Sequence, residues 1–419
     1  RSSAASDVYK RQQLFKGGFF IDYLGVDISK RSSVVAHYKN GKFQKEFFIQ
    51  NNKNGYNYLL KYLNDLDHPQ LIFESTGIYS RGMERFCCVN QINYIQMNPL
   101  EAKFKTSALR SWKTDQADAH KLACLGPTLK QTDSLPIHEL IFFELRERVR
   151  FHLEIENEQN RLKFQILELL HQTFPGLERL FSSRYSIIAL NIAEIFTHPD
   201  MVLDIDKDVL ITHIFNSTDK GMSMDKATKY ALQLRVIAQE SYPNVDRHSF
   251  LVEKLRLLIQ QLKQSIHHLK QLDDAMIQLA QQLDYFENIH SIPGIGKLST
   301  AMIIGEIGDI KRFKSNKQLN AFVGIDIKRY QSGHTHCRDT INKRGNKKAR
   351  KLLFWVIMNI IRGQHHYDNH VVDYYYKLRK QPNEKPHKTA IIACINRLLK
   401  TIHYLVMNHK LYDYQMSPH

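Results

Sequence analysis

Cysteine is scarce and poorly spaced for either metal or disulfide. Cys87, Cys88, Cys124, Cys337 and Cys394 are the only five in 419 residues. They form no zinc-ligand spacing, and a sparse, odd-numbered set does not make a disulfide framework, so a reducing cytosol fits best. Long apolar runs are also missing. The longest, Leu352 to Ile361 with one Asn, is too short to cross a bilayer, so no membrane partner is expected. The chain opens at Arg1 without Met, and its first dozen residues lack both apolar periodicity and the apolar core of a signal peptide. Residues 1–19 are therefore read as a non-native or disordered leader. No internal repeat is evident. Acid is in deficit, with 42 Asp and Glu against 59 Lys and Arg, a net charge of +17. Such a field attracts polyanions, of which nucleic acid is the commonest.

Apolar residues make up 43% of the chain, enough for real cores, and the length calls for two or three domains. Residues 20–50 read as three strands: Phe20–Ser29, Ser33–Lys39 and, after a Lys-Asn-Gly-Lys turn, Phe43–Gln50. A helix fits Gly55–Leu66, followed by strand Gln70–Glu74, helix Ile78–Val89 and strand Asn93–Met97. Three hairpin-like strands followed by alternating α and β suggest a mixed sheet. The order suits an RNase H-like fold, in which acidic residues line adjacent strand ends. Leu140–Phe174 reads as a long helix closed by Pro175-Gly176. From Val252 to Leu283 a heptad recurs: Leu255, Leu262, Leu269, Met276 and Leu283, with Val252, Ile259, Ile266 and Ala280 in the companion seam and Asp273 interrupting it. This predicts a coiled coil between subunits, the alternative being an antiparallel hairpin with the Glu154–Leu170 helix of the same chain. The fold class is thus α/β plus α. The expected domains are 20–175 with the acidic residues, a mixed connection 176–245, a coiled coil 246–288, a basic unit 289–375 and a helical tail 376–419.

Four carboxylates have special placement. Asp27 ends the run Tyr23-Leu-Gly-Val-Asp27, and Glu74 ends Leu71-Ile-Phe-Glu74. Asp115 and Asp118 lie three apart on a predicted helix, so their Cβ atoms should be about 5–6 Å apart on one face. Hard oxygen donors of this kind suit magnesium, with manganese the second choice. Paired metal ions about 4 Å apart can serve both the attacking and the leaving oxygen at a phosphodiester. Each residue alone has an ordinary reading: a turn, a solvated strand residue or, for Asp115, a helix cap. Their order and spacing together single them out.

A second unit carries a serine. Ile292-Pro-Gly294-Ile-Gly296 before an apolar helix resembles a helix–hairpin–helix element, whose glycines bring backbone amides to phosphate. Ser332 follows Lys328, Arg329 and Tyr330 and precedes Gly333; His334 and His336 are candidate bases. Downstream, Lys343, Arg344, Lys347, Lys348, Arg350 and Lys351 place six cations within ten residues, a pattern that suits phosphate. The ordinary alternative is a solvated basic surface.

These residues resemble the DEDD/serine insertion-sequence transposases (insertion-sequence family one hundred and ten), including the RNA-guided bridge recombinases. The shared pattern runs through Gly25-Val-Asp27-Ile-Ser, Phe73-Glu74-Ser-Thr-Gly77 and Lys113-Thr-Asp115-Gln-Ala-Asp118-Ala. It resumes in Ile292-Pro-Gly-Ile-Gly296, Gly305-Glu-Ile-Gly-Asp-Ile-Lys-Arg-Phe313, Leu319-Asn-Ala-Phe-Val-Gly324, Gln331-Ser332-Gly333 and Lys343-Arg-Gly-Asn346. One departure is that Asp326 and Lys328 stand where many relatives carry a Pro-containing loop. The resemblance implies a RuvC-like domain with an acidic tetrad at Asp27, Glu74, Asp115 and Asp118, and a nucleophilic Ser332 in a smaller C-terminal domain. It implies that both act as a composite centre across subunits, in a dimer or tetramer. The partners implied are element-end and target DNA and a noncoding guide RNA, in a prokaryotic, nucleoid-associated cytoplasmic setting. Two competing readings use the same residues. One is a RuvC-like metal-dependent junction nuclease that works through water. The other is a catalytically decayed nucleic-acid-binding protein.

Overall fold

The computed structural model describes residues 21–97, 99, 102, 105, 114–129, 140–218, 221–328, 331, 332, 335, 336, 340–382 and 384–415. For Leu140, Lys328, Gln331, Ser332, Thr335 and His336 only the backbone is described. The expected leader and Arg329 lie outside the described residues. The chain divides into two compact units, Arg1–Ile137 and His138–His419.

The first unit is built on a five-stranded sheet. Its strands are β1 (Asp22–Ile28), β2 (Ser32–Lys39), β3 (Lys42–Gln50), β4 (Pro69–Glu74) and β5 (Asn93–Met97), in the order β3-β2-β1-β4-β5. The β1–β2 and β2–β3 pairs are antiparallel, whereas β1–β4 and β4–β5 are parallel. Strand alternation sorts the two faces. Leu24, Val26, Leu71 and Phe73 face α1 (Lys53–Asn64) and α2 (Ser80–Val89), meeting Leu59, Leu63, Met83 and Phe86 in one core. Ile72, Ile95 and Met97 face the other way and meet Leu122 and Leu125 of α3 (Asp115–Leu125). Every strand and helix expected from residue 20 to residue 97 is present, with ends shifted by a residue or two.

The second unit is helical. Its axis is the pair α4 (Leu140–Thr173) and α8 (Phe250–Ala280). They run antiparallel: Leu162 and Ile166 share a core with Leu255, Ile259 and Leu262, while Phe142, Leu145 and Val149 meet Met276 and Ala280. The heptad seam of α8 is thus filled at both ends by α4 of the same chain, which is the hairpin alternative. Asp273, which interrupts the heptad, receives a 2.9 Å contact from His152 Nε2 of α4. By its contacts the long helix lies in the second compact unit. The region 176–245 resolves into helices α5 (Ile187–Ile195), α6 (Lys207–Phe215) and α7 (Met224–Glu240), capping one end of the α4–α8 pair. At the other end lie α9 (Phe286–His290), α10 (Lys297–Ile307), α11 (Asn316–Val323), α12 (Lys347–Arg362), α13 (His370–Arg379) and α14 (His387–Met407). Helix α14 is long and apolar enough to span a membrane by length and composition. Its inner face, including Ile391, Cys394, Leu398 and Ile402, is fully buried in this core.

Candidate active site

Asp27 and Glu74 occupy the same end of the parallel β1–β4 pair. The register aligns Val26 with Phe73, so Asp27 and Glu74 come next on neighbouring strands. Val26 and Phe73 face α1 and α2, so alternation turns Asp27 and Glu74 toward the α3 side. Helix α3 lies close because residue 25 is glycine. A Cβ there would sit 2.0 Å from the Ala119 carbonyl oxygen and 2.4 Å from the Ala123 amide nitrogen. At the other end of the contact, Gly126 lies against the Tyr23 ring, where an added Cβ would come within 2.2 Å. The helix therefore runs antiparallel to β1: Gly126 over Tyr23, Ala119 and Ala123 over Gly25, and the first turn toward Asp27. That first turn carries Asp115 and Asp118.

Polar contacts along its flank fix the helix as well. Tyr38 of β2 meets His120 Nδ1 at 2.9 Å, and His120 Nε2 lies 2.7 Å from Glu46 of β3. Gln116 Nε2 donates to the same Glu46 carboxylate at 2.9 Å. The cap of α3 is Thr114, whose hydroxyl accepts from the Ala117 amide at 3.1 Å. Capping thus falls to Thr114 rather than Asp115. The positive end of the helix dipole also favours carboxylates in this first turn.

The electrostatics join the four residues. Burial, then the charges of Asp115, Asp118 and Glu74, push the Asp27 carboxyl up to about 6. Glu74 is raised by burial and then by Asp118. Lys121 Nζ donates to Asp118 at 2.8 Å. Among the described residues no group of three or more His, Cys, Asp or Glu side chains makes a ready metal cage. The donor set nevertheless fits a divalent cation. It is all hard oxygen, and Asp27 carries the electrostatic cost of burial beside three other carboxylates.

Ser332 sits in the second unit on a hairpin arm. Strand β7 (Gln331–Ser332) pairs with β8 (Thr335–His336), Ser332 opposite Thr335. Below it, β6 (Ile327–Lys328) pairs with β9 (Thr340–Ile341). Gly333 and His334 lie outside the described residues. The base of the arm is tightly tied. The Asn342 amide donates to the Asp326 carbonyl at 2.8 Å, and the Asn346 amide donates to the Phe322 carbonyl at 2.8 Å. Arg350 Nη1 donates to the Val323 carbonyl at 2.7 Å.

Glu306, at the end of α10, is a residue that the sequence reading did not single out. It is 0% exposed, and Asn346 Nδ2 donates to its carboxylate at 2.7 Å and to its backbone carbonyl at 2.9 Å. Arg150 Nε of α4 approaches the other carboxylate oxygen at 3.5 Å. Asn346 also caps α12, its Oδ1 accepting from the Lys348 and Ala349 amides. Thus one buried carboxylate locks the turn joining the serine arm to the basic helix. The Gly-Glu pair in Gly305-Glu-Ile-Gly was the available signal.

The two glycines expected at phosphate are placed differently. Gly294 has φ +87°, and a Cβ there would meet Tyr367 Oη at 2.5 Å, so this glycine serves packing. Gly296 is exposed and open, at the cap of α10. Lys343, Arg344 and Lys347 are exposed, and Lys348 and Arg350 half-buried.

Two family models match the chain in order. A DEDD transposase model of the IS110 type covers residues 24–175, and one described as "Transposase IS116/IS110/IS902 family" covers 286–372. The chain belongs to the IS110 family of transposases. It is 37% identical over 67 residues, 16% of its length, to the transposase for insertion sequence element IS1111A of Coxiella burnetii, of which this is 18%. It is 27% identical over 140 residues, 33% of its length, to the pilin gene-inverting protein of Moraxella lacunata, covering 42% of that protein. The transposase for IS1328 of Yersinia enterocolitica is 23% identical over 133 residues, 32% of this chain and 39% of the relative. The chain therefore spans less than half the length of each of these relatives.

Proposed function

We propose that this protein cleaves and exchanges DNA strands for an insertion sequence. The first unit is read as an RNase H/RuvC-like domain. The strand order β3-β2-β1-β4-β5, with three antiparallel strands followed by two parallel ones, supports that reading. The observation that carries the proposal is the seating of α3 on Gly25, which turns Asp115 and Asp118 toward the strand ends of Asp27 and Glu74. These four would hold a divalent cation, magnesium or manganese, which supplies charge neutralisation and polarisation at a phosphoryl oxygen.

The strand-exchange step falls to Ser332. Its Oγ forms a bond to phosphorus, the bond from phosphorus to the leaving sugar oxygen breaks, and the DNA strand is held as a phosphoserine ester. The Oγ proton goes to a base, with His334 and His336 the candidates, and the leaving oxygen takes up a proton. Attack by a sugar hydroxyl of the partner strand reverses the step and restores the serine. The second unit's cations, Lys328, Arg329, Lys343, Arg344, Lys347, Lys348 and Arg350, with Gly296, would hold backbone phosphates. Selection of donor and target DNA by a noncoding RNA, and assembly as a dimer or tetramer, complete the reading by its resemblance to the bridge recombinases. The two ends of the α8 seam lend that assembly no support, because α4 fills them.

The test is recombination between plasmids carrying the element's ends and its target, with RNA transcribed from the element's flank. Asp118→Asn should abolish recombinant product while DNA retention in a gel is kept. Wild-type product from that variant would refute the tetrad assignment.

A further inference from the structure

The basic helix α12 carries more than charge. Lys347, Lys351 and Trp355 recur every four residues, so they form one stripe with about 6 Å between successive positions along the axis. All three are exposed, Trp355 at 50%. Neither lysine takes part in an ion pair among the described residues. The stripe borders an open groove of about 420 Å³, also lined by Ile341, Phe354 and Ile392. That volume lies within the range of small-ligand sites. Among the described residues that line it, the groove is mainly aromatic and aliphatic and its charged side chains are positive. Arg350, the remaining cation on its wall, is already held by the Val323 carbonyl. Among the described residues Trp355 meets an aromatic ring only at Phe354 and edge-on, with an 88° angle between the rings, so an indole face remains for another flat ring.

We propose that this groove is a stacking site for an unpaired nucleotide, with a base laid on Trp355 and the flanking phosphates on Lys351 and Lys347. Three observations select this occupant. The cations call for an anion, and the N-terminus of α12 beside Lys347 adds to their field. The half-exposed indole calls for a flat ring, and every base offers one. A base can reach an aromatic face in a groove only after leaving its duplex stack, so the ligand is single-stranded there. Ile341 belongs to β9, the stem of the arm that bears Ser332. A strand seated here therefore lies at the foot of the serine arm. The inference deepens the strand-exchange reading, but its measurement requires no cleavage, so the two can fail separately.

The experiment uses the two tryptophans of the full chain, Trp112 and Trp355. Oligo-dT, oligo-U and a blunt duplex of equal length are titrated into Trp112→Phe and Trp355→Phe proteins. Quenching by the single strands should appear in Trp112→Phe and vanish in Trp355→Phe. In anisotropy titrations of labelled oligomers, Trp355→Ala should raise the single-strand Kd roughly 5- to 150-fold, the effect of losing one stacked base. Duplex Kd should change less than twofold. Lys351→Ala should weaken both ligands and flatten the salt dependence by about one counterion. Preference for oligo-dT or oligo-U identifies the source of the strand, and either supports the site. An unchanged single-strand Kd in Trp355→Ala, or an equal loss for duplex, overturns it. So does a Trp355 emission shift that grows with protein concentration alone, which would assign the face to a second copy of the chain.

Discussion

Replacing Gly25 by alanine should disable the acidic face without touching a carboxylate. The new Cβ would lie 2.0 Å from the Ala119 carbonyl oxygen and 2.4 Å from the Ala123 amide nitrogen. Ordinary contacts are about 3.5 Å, so α3 must lift by roughly 1–1.5 Å. The obstacle is backbone on both sides, with no flexible side chain to swing away. Overpacking of well-packed cores costs about 1–3 kcal/mol, and a backbone clash belongs at the upper end. For a unit of this size, about 3 kcal/mol lowers the midpoint of unfolding by at least 10 °C. Lifting α3 also carries Asp115 and Asp118 away from Asp27, so recombination should fall further than stability. Calorimetry, with recombination measured well below the melting range, separates the effects. Gly221→Ala is the control, since nothing lies within 4 Å of a Cβ there. A Gly25→Ala protein with wild-type melting and wild-type recombination would refute the seating of α3.

Asp27→Asn should stabilise the first unit above neutral pH. A carboxyl held up at about 6 folds most favourably when protonated, so its contribution is present below the ordinary value of 3.8 and lost as pH rises through about 6. The rise corresponds to about 3 kcal/mol at face value, which solvent screening of a partly exposed group reduces to about 1 kcal/mol. Melting at pH 4.5 and 7.5 checks this; a variant less stable than wild type at pH 7.5 contradicts it. Magnesium should raise the wild-type midpoint at pH 7.5 and leave Asp27→Asn nearly unmoved, as ligand linkage requires. Glu306→Ala removes one of the two acceptors of the Asn346 amide and the carboxylate facing Arg150, leaving the backbone carbonyl as the remaining acceptor, and should cost about 1–3 kcal/mol, whereas Glu306→Gln should recover most of it; equal losses in both would remove the clamp. Leu269→Asp should leave the mass in light scattering unchanged, because the α8 seam pairs within the chain; a drop in mass would restore the intersubunit coiled coil.

The sheet was legible because its strands alternate or run apolar between clear turns, and Asp27 and Glu74 stand where those runs stop. The second pair of the candidate tetrad was legible as an i, i+3 spacing, but its anchor was not. That Gly25 accepts a helix backbone is a tertiary fact, and the role of Thr114 as the cap shows only in φ and ψ. The heptad gave the seam of α8 but not its partner, since a 3.5-residue period is the same whether the facing helix belongs to the same chain or another. Helices α5 to α7 were unreadable for a related reason. Ile187–Ile195 has a core helix's nearly continuous apolar content, leaving little periodicity to detect. Glu306 stayed hidden because a buried, hydrogen-bonded carboxylate looks in sequence like any solvated one.

The central claim is serine-linked strand exchange, and a covalent-adduct trap tests it most directly. Wild-type and Ser332→Ala proteins are incubated with magnesium, element-end DNA, target DNA and RNA from the element's flank, then run on a denaturing gel. A protein–DNA band that forms with the wild type and vanishes in Ser332→Ala is the predicted result. DNA cleavage that leaves no adduct and survives Ser332→Ala would contradict it, and would make the protein a water-using junction nuclease.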